Sequence, residues 1–126
     1  MPLPERDTEF LDEKCFKYSV TDADGWSNLV IDGYVLPECY APREVRLLIR
    51  LPVGYPTTPL DMFFTIPRVV LVSTNSAPMN CTGEIRTLEE NWQQWSRHCP
   101  PEEWRPRVDC LRTFFARIKL ELSACR

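Results

Sequence analysis

The chain has one histidine, four glycines and no Cys-x-x-Cys pair among its 126 residues, and its apolar runs are short. The longest runs, Val69–Val72 and Met62–Phe64, fall far short of the roughly 20 apolar residues that span a bilayer. The first residues also lack the apolar stretch of a secretory signal peptide. We therefore expect a cytoplasmic protein that makes no contact with a membrane.

An excess of basic residues is missing as well. The chain has 15 Lys and Arg against 18 Asp and Glu, which gives a net charge of -3. Because nucleic-acid-binding domains usually carry a basic surface, the composition indicates that nucleic acid is not a partner. The apolar share of 44% is that of a globular protein large enough to bury a core.

The cysteines are scattered and do not show the spacing of a metal site. With a single histidine to assist them, they predict no metal centre, and nothing in the chain predicts a cofactor. A cytoplasmic chain keeps its thiols reduced, so we expect most of them to be small core residues without disulfides. The cysteines are Cys15, Cys39, Cys81, Cys99, Cys110 and Cys125.

Alternating apolar residues in the first part of the chain predict short strands. In the clearest case, Val45, Leu47, Ile49 and Leu51 would share one face of a strand. Short connections favour an antiparallel meander, because a parallel partner needs a longer crossover. The predicted strands are Cys15–Val20, Leu29–Leu36, Val45–Leu51, Met62–Ile66 and Val69–Val72.

The rest of the chain predicts irregular structure followed by a helix. Ser73–Pro106 is a long polar segment, here called the flap, with a helical turn expected around Leu88–Trp95. Apolar residues then recur every three or four positions from Val108 to Leu122, which predicts a helix whose first turn contains Pro106. We expect a single α+β domain over residues 1–126, with a loose leader over residues 1–9, a helical turn at Phe10–Lys14 and the last helix packed on the sheet.

The most informative stretch is Trp95-Ser96-Arg97-His98, since it places a hydroxyl, a guanidinium and the sole imidazole side by side. Ser96 lies eight residues before Trp104 of a Trp104-Arg105-Pro106 motif. A simpler interpretation is structural. The ring of His98 would then bond a backbone carbonyl, and Arg97 would stack on Trp95 or Trp104.

Several motifs occur together in one order, and in that order the chain resembles the ubiquitin-conjugating-enzyme (UBC) superfamily. The closer resemblance is to its prokaryotic conjugating-enzyme-like family E, over about residues 33–122. The resemblance implies a UBC-like (RWD-like) fold with an antiparallel meander, a long flap and a C-terminal helix. The matching motifs are Gly54–Pro56, Asp61–Phe63, Trp92–His98, Trp104–Pro106 and Val108–Leu111.

The resemblance implies an acyltransferase that carries a ubiquitin-like protein on a nucleophile. Ser96 stands where ordinary members have their cysteine, but Cys99 lies only three positions further on. A serine would give an oxyester and needs a base, for which His98 is the candidate, with Arg97 steadying the oxyanion. A cysteine would attack as thiolate and give a thioester. The sequence leaves both nucleophiles open.

Ordinary members also have a His-Pro-Asn motif before the nucleophile, whereas this chain has only Pro78-Met79-Asn80. The partners implied are a ubiquitin-like protein, a ThiF-type activating enzyme and often a JAB-type peptidase. One alternative is a catalytically inactive module that binds the ubiquitin-like protein or its activating enzyme. Another is a hydrolase using Ser96 and His98, for which Asp109 or Glu103 would have to orient the histidine.

Overall fold

A computed structural model describes residues 3–98 and 100–126, so the candidate Cys99 lies outside the described residues. Within these ranges the chain forms two α-helices, a short 3-10 helix at Pro101–Glu103 and two sets of antiparallel strands. The helices are α1 (Glu5–Glu13) and α2 (Leu111–Ser123). The strands are β1 (Lys17–Ala23), β2 (Trp26–Val35), β3 (Tyr40–Ala41), β4 (Glu44–Leu51), β5 (Phe63–Ile66), β6 (Val70–Leu71), β7 (Gly83–Thr87) and β8 (Glu90–Trp95).

In the described part of the chain, six strands form one sheet in the order β1-β2-β4-β5-β8-β7, and β3 pairs with β6. Every pairing in the sheet is antiparallel. The expected α+β architecture, an antiparallel sheet with a C-terminal helix, is therefore confirmed. It is compatible with the UBC-like fold that the resemblance implies.

The alternation in β4 places its apolar residues as predicted. Val45, Leu47, Ile49 and Leu51 are buried in the main core, on the face that also receives residues of both helices. Leu48 points to a smaller cluster on the opposite face of the sheet. Burying one such side chain contributes about 1.5–3 kcal/mol, so this pattern accounts for much of what holds the strand in register.

The loose leader expected over residues 1–9 is wrong for residues 5–9, which form the first part of α1. The side chain of Asp7 is fully buried. One of its carboxylate oxygens accepts a hydrogen bond from the Tyr55 hydroxyl at 2.6 Å, and the other accepts one from the backbone N–H of Leu111 at 3.2 Å. Phe10 and Leu11 of α1 are buried in the main core, and the buried Asp7 adds polar contacts at the start of the helix that an apolar pattern could not reveal.

The helical turn expected at Leu88–Trp95 is also wrong, because Glu90–Trp95 is strand β8, paired with both β5 and β7. Leu88 and Glu89 form the preceding hairpin turn, both with positive φ. The strand could not be recognised in the sequence because one of its buried positions holds a polar residue, Gln93. Its amide bonds the backbone of Val69 in both directions, so a polar residue occupies a core position.

The expectation that disulfides would be absent is wrong for one pair. Cys39 and Cys125 form a disulfide with their Cα atoms 5.8 Å apart, although 86 positions separate them in the sequence. Among the free cysteines of the described residues, Cys81 and Cys110 are buried, as expected, and Cys15 is exposed. In the same ranges, neither helix has the length and apolar character needed to cross a membrane.

Candidate functional site

The pairing of β5 with β8 determines what lies beside the Trp95–His98 segment. Phe63 is the residue of β5 that pairs with Trp95, the last residue of β8. Because the strands are antiparallel, the residues just before Phe63 face those just after Trp95. Asp61 is thereby brought beside Ser96–His98.

Ser96 directly follows β8 and is half-buried. Its Oγ accepts a hydrogen bond from Gln94 Nε2 at 2.9 Å. Its backbone N–H donates to the carbonyl of Asn80 at 3.0 Å, which places the asparagine of Pro78-Met79-Asn80 next to the candidate nucleophile. The hydroxyl is therefore held by a side-chain amide and not by the backbone.

Arg97 is buried and acts as an anchor for the segment. Its Nε donates to the carbonyl of Met79 at 3.3 Å, and its other nitrogens donate to the backbone carbonyls of Glu121 and Arg126. The guanidinium also lies over the ring of Trp95, 4.9 Å from its centroid, so the stacking interpretation is confirmed. None of the described polar contacts of Arg97 is with Ser96 Oγ.

His98 is held from two sides. Its Nδ1 lies 2.8 Å from Asp61 Oδ2, and its backbone carbonyl accepts a hydrogen bond from Arg117 Nη2 at 3.2 Å. The partner of the ring is thus a carboxylate, not the backbone carbonyl of the simpler interpretation. Between the two described residues Ser96 and His98 there is no hydrogen bond, although they stand two positions apart.

The carboxylate beside His98 belongs to Asp61 and not to Asp109 or Glu103, the two residues that the sequence offered for orienting the histidine. Asp109 instead holds the turn before α2, accepting the backbone N–H of Arg105 at 2.7 Å. Although burial raises it, the hydrogen bonds from Arg105 hold the pKa of Asp109 below its ordinary value. Glu103 is exposed on the 3-10 helix. Asp61 was visible only as part of a motif, with nothing to connect it to a residue 37 positions away.

The Trp104-Arg105-Pro106 and Gly54-Tyr55-Pro56 motifs pack against each other. Trp104 Nε1 donates to the carbonyl of Pro56 at 2.8 Å, and its ring lies 6.5 Å from that of Tyr55. A side chain at Gly54 would collide with Thr58, because a Cβ there would lie 2.1 Å from the Thr58 hydroxyl. These contacts fix the loop after the candidate site to the loop after β4.

Cys81 lies close to Arg97 but is a poor nucleophile. Burial raises the pKa of its thiol to about 11, and the neighbouring Arg97 only partly offsets this. At neutral pH it is therefore a thiol, whereas the reactive form of a cysteine is the thiolate. Its Sγ donates to the carbonyl of Met79 at 3.2 Å, which is a structural contact. Among the described residues, no group of His, Cys, Asp and Glu could hold a metal ion.

The fold and the site together define an α+β protein with polar side chains gathered where the sheet passes into the segment before α2. Residues 3–124 match the family model described as prokaryotic E2 family E, and the chain belongs to that family. The resemblance found in the sequence is thus confirmed. Comparisons with curated proteins and with solved structures found no match. Membership connects the chain with ubiquitin-type conjugation, in which an E2-like protein interacts with a ubiquitin-like protein and an activating enzyme.

Proposed function

We propose that the chain is an acyl carrier that accepts the C-terminal acyl group of a ubiquitin-like protein on Ser96 and transfers it to an amine. The observation that carries this proposal is the placement of Ser96. It is half-buried at the end of β8, with its Oγ held by Gln94 and its backbone held by Asn80. The ubiquitin-like protein would arrive on a ThiF-type activating enzyme, and a JAB-type peptidase would be a further partner.

In the first step, Ser96 Oγ attacks the thioester carbonyl carried by the activating enzyme. An O–C bond forms and the C–S bond breaks, while the hydroxyl proton passes through His98 Nε2 to the leaving thiolate. A serine hydroxyl needs such a base because the protonated hydroxyl is a weak nucleophile. If Cys99 is the acceptor, its thiolate attacks directly and the product is a thioester.

In the second step, an acceptor amine attacks the acyl carbon. A C–N bond forms, the C–O bond breaks, and the proton that the amine loses passes to the oxygen of Ser96. The guanidinium of Arg97 is already bonded to backbone carbonyls. Arg97 would therefore support both steps by holding the segment of Ser96 and His98 in place and not by contacting the oxyanion. Backbone amides of the flap near Asn80 are our candidates for the donors that stabilise the oxyanion.

One observation favours a second function, in which the chain binds the ubiquitin-like protein or its activating enzyme without catalysis. Gln94 donates to Ser96 Oγ, and His98 instead bonds Asp61. His98 does not bond Ser96 Oγ in this arrangement, so the hydroxyl of Ser96 would have to turn from Gln94 toward His98 before acyl transfer. The binding module needs no such movement.

The two functions, and the two nucleophiles, are separated by trapping the adduct. The protein is incubated with ATP, a ThiF-type activating enzyme and the ubiquitin-like protein, then quenched in denaturant and treated with thiol or mild base. We expect an adduct that resists thiol, is cleaved by base and is lost in Ser96→Ala, because an oxyester reacts slowly with thiols.

Cys15→Ala and Ser73→Ala are matched controls, since both remove an exposed nucleophilic side chain elsewhere, and both should keep the adduct. A thiol-labile adduct that disappears in Cys99→Ala would overturn the serine assignment. Stable binding of the ubiquitin-like protein without any adduct would favour the module instead.

A further inference from the structure

The contact between Asp61 and His98 determines where the proton of the imidazole resides. An ionised carboxylate has only acceptor atoms, and Asp61 Oδ2 lies 2.8 Å from His98 Nδ1. The hydrogen bond therefore requires the proton on Nδ1. In the neutral ring this leaves Nε2 unprotonated, with a lone pair that can accept a proton.

The contact between Asp61 and His98 adds little to the stability of the fold. The side chain of His98 is 62% exposed and that of Asp61 is 46% exposed. An exposed pair of this kind contributes little to the free energy of folding, since solvent screens it. What the contact does fix is the orientation and tautomer of the ring, which is how a carboxylate serves a catalytic histidine.

Both partners have anchored backbones, so the contact joins two fixed points. Leu60, which precedes Asp61, is buried in the main core, and Phe63 pairs with Trp95 in the sheet. The backbone of His98 is bonded to Arg117 of α2. A ring held in this way loses little further freedom when it accepts a proton.

We infer that Asp61 is the positioning residue of His98, holding it as the Nδ1-protonated tautomer with Nε2 available as the base. This inference rests on the proposed function for its use in acyl transfer. The tautomer itself can be measured without any partner protein.

The test uses the fact that the chain has one histidine, so its ring nitrogens give an unambiguous NMR signal. Long-range 1H–15N correlation spectra of the 15N-labelled protein are recorded where the imidazole is neutral. We expect the Nδ1–H pattern in the wild type. In Asp61→Ala the pattern should change to the Nε2–H form that free histidine prefers.

Glu103→Ala is the matched control, because it removes an exposed carboxylate from the neighbouring 3-10 helix and should leave the tautomer unchanged. Backbone amide spectra show whether Asp61→Ala keeps its fold. An Nε2–H pattern in the folded wild type, or no change of pattern in folded Asp61→Ala, would overturn the inference.

A second measurement follows the rate of adduct formation at saturating and at limiting concentrations of the activating enzyme that carries the ubiquitin-like protein. We expect Asp61→Ala to lower the maximal rate about tenfold or more with little change in the half-saturating concentration. A raised half-saturating concentration with an unchanged maximal rate would instead make Asp61 a docking residue. If no adduct forms while the tautomer shifts as expected, the proposed function fails and the positioning role stands.

Discussion

Asp7 is a fully buried carboxylate that joins three parts of the chain. It belongs to α1, accepts the hydroxyl of Tyr55 from the loop after β4, and accepts the backbone N–H of Leu111 at the start of α2. The first N–H groups of a helix have no partner within the helix, so Asp7 caps α2 from a distant position. Asp7 therefore helps to order the polar N-terminal segment, together with Phe10 and Leu11 of the same helix, which are buried in the main core.

We predict that Asp7→Ala lowers the free energy of unfolding by about 2–4 kcal/mol, because it leaves a hydroxyl and an amide buried without partners. Urea unfolding followed by tryptophan fluorescence measures the change. Asp12→Ala is the control, since Asp12 lies exposed on the same helix and should change stability by less than about 0.5 kcal/mol. Similar unfolding midpoints for the two variants would contradict the capping role.

At the scale of elements, β8 organises the second half of the sheet. It lies between β5 and β7 and delivers Ser96 at its end. The buried amide of Gln93 fastens two irregular segments to this strand, by bonding the N–H and carbonyl of Val69 and the carbonyl of Cys81. One polar side chain in the middle of a strand therefore ties the segments around Val69 and Cys81 to the sheet.

We predict that Gln93→Leu destabilises the protein by about 2–4 kcal/mol, although leucine is the more apolar residue. The substitution keeps much of the volume but leaves the N–H of Val69 buried without an acceptor. Chemical denaturation gives the difference, and hydrogen exchange should show faster exchange at Val69. Asn91→Ala, at an exposed position of the same strand, is the control. Unchanged protection of the Val69 N–H from exchange would show that the side-chain amide of Gln93 does not hold this segment.

On the scale of the whole molecule, the residues after α2 are bonded to the start of β3 and to the candidate site. Cys125 is bonded to Cys39, and the carbonyl of Arg126 accepts hydrogen bonds from Tyr40 and Arg97. The residues that follow α2 thus help to hold Arg97, which anchors the segment containing Ser96 and His98.

We predict that reducing the disulfide lowers the free energy of unfolding by about 2–4 kcal/mol, because it releases a cross-link between residues 86 positions apart. Urea unfolding with and without reductant measures this. The double variant Cys39→Ala/Cys125→Ala should be as unstable as the reduced protein and indifferent to reductant, whereas Cys15→Ala should respond like the wild type. Equal midpoints for oxidised and reduced wild type, with free thiols verified, would refute it.

The apolar strands and the last helix could be predicted because their signal is local. Val45, Leu47, Ile49 and Leu51 alternate as a half-buried strand must, and the predicted helix period holds for Leu111 and the core residues that follow it. The structure begins α2 at Leu111 and leaves Val108 exposed before it. Strand β8 escaped prediction because Gln93 is a polar residue in a buried position.

By itself, the amino-acid sequence determined the α+β class, the family and the spacing that singles out Ser96, since each depends on residues near one another or on motifs in order. Only the tertiary structure decided that Asp61 faces His98, that Arg97 reaches the end of α2 and that Cys39 meets Cys125. These pairs are far apart in the chain. They meet only because the register of β5 against β8 and the docking of α2 bring them together, and no local pattern encodes that geometry.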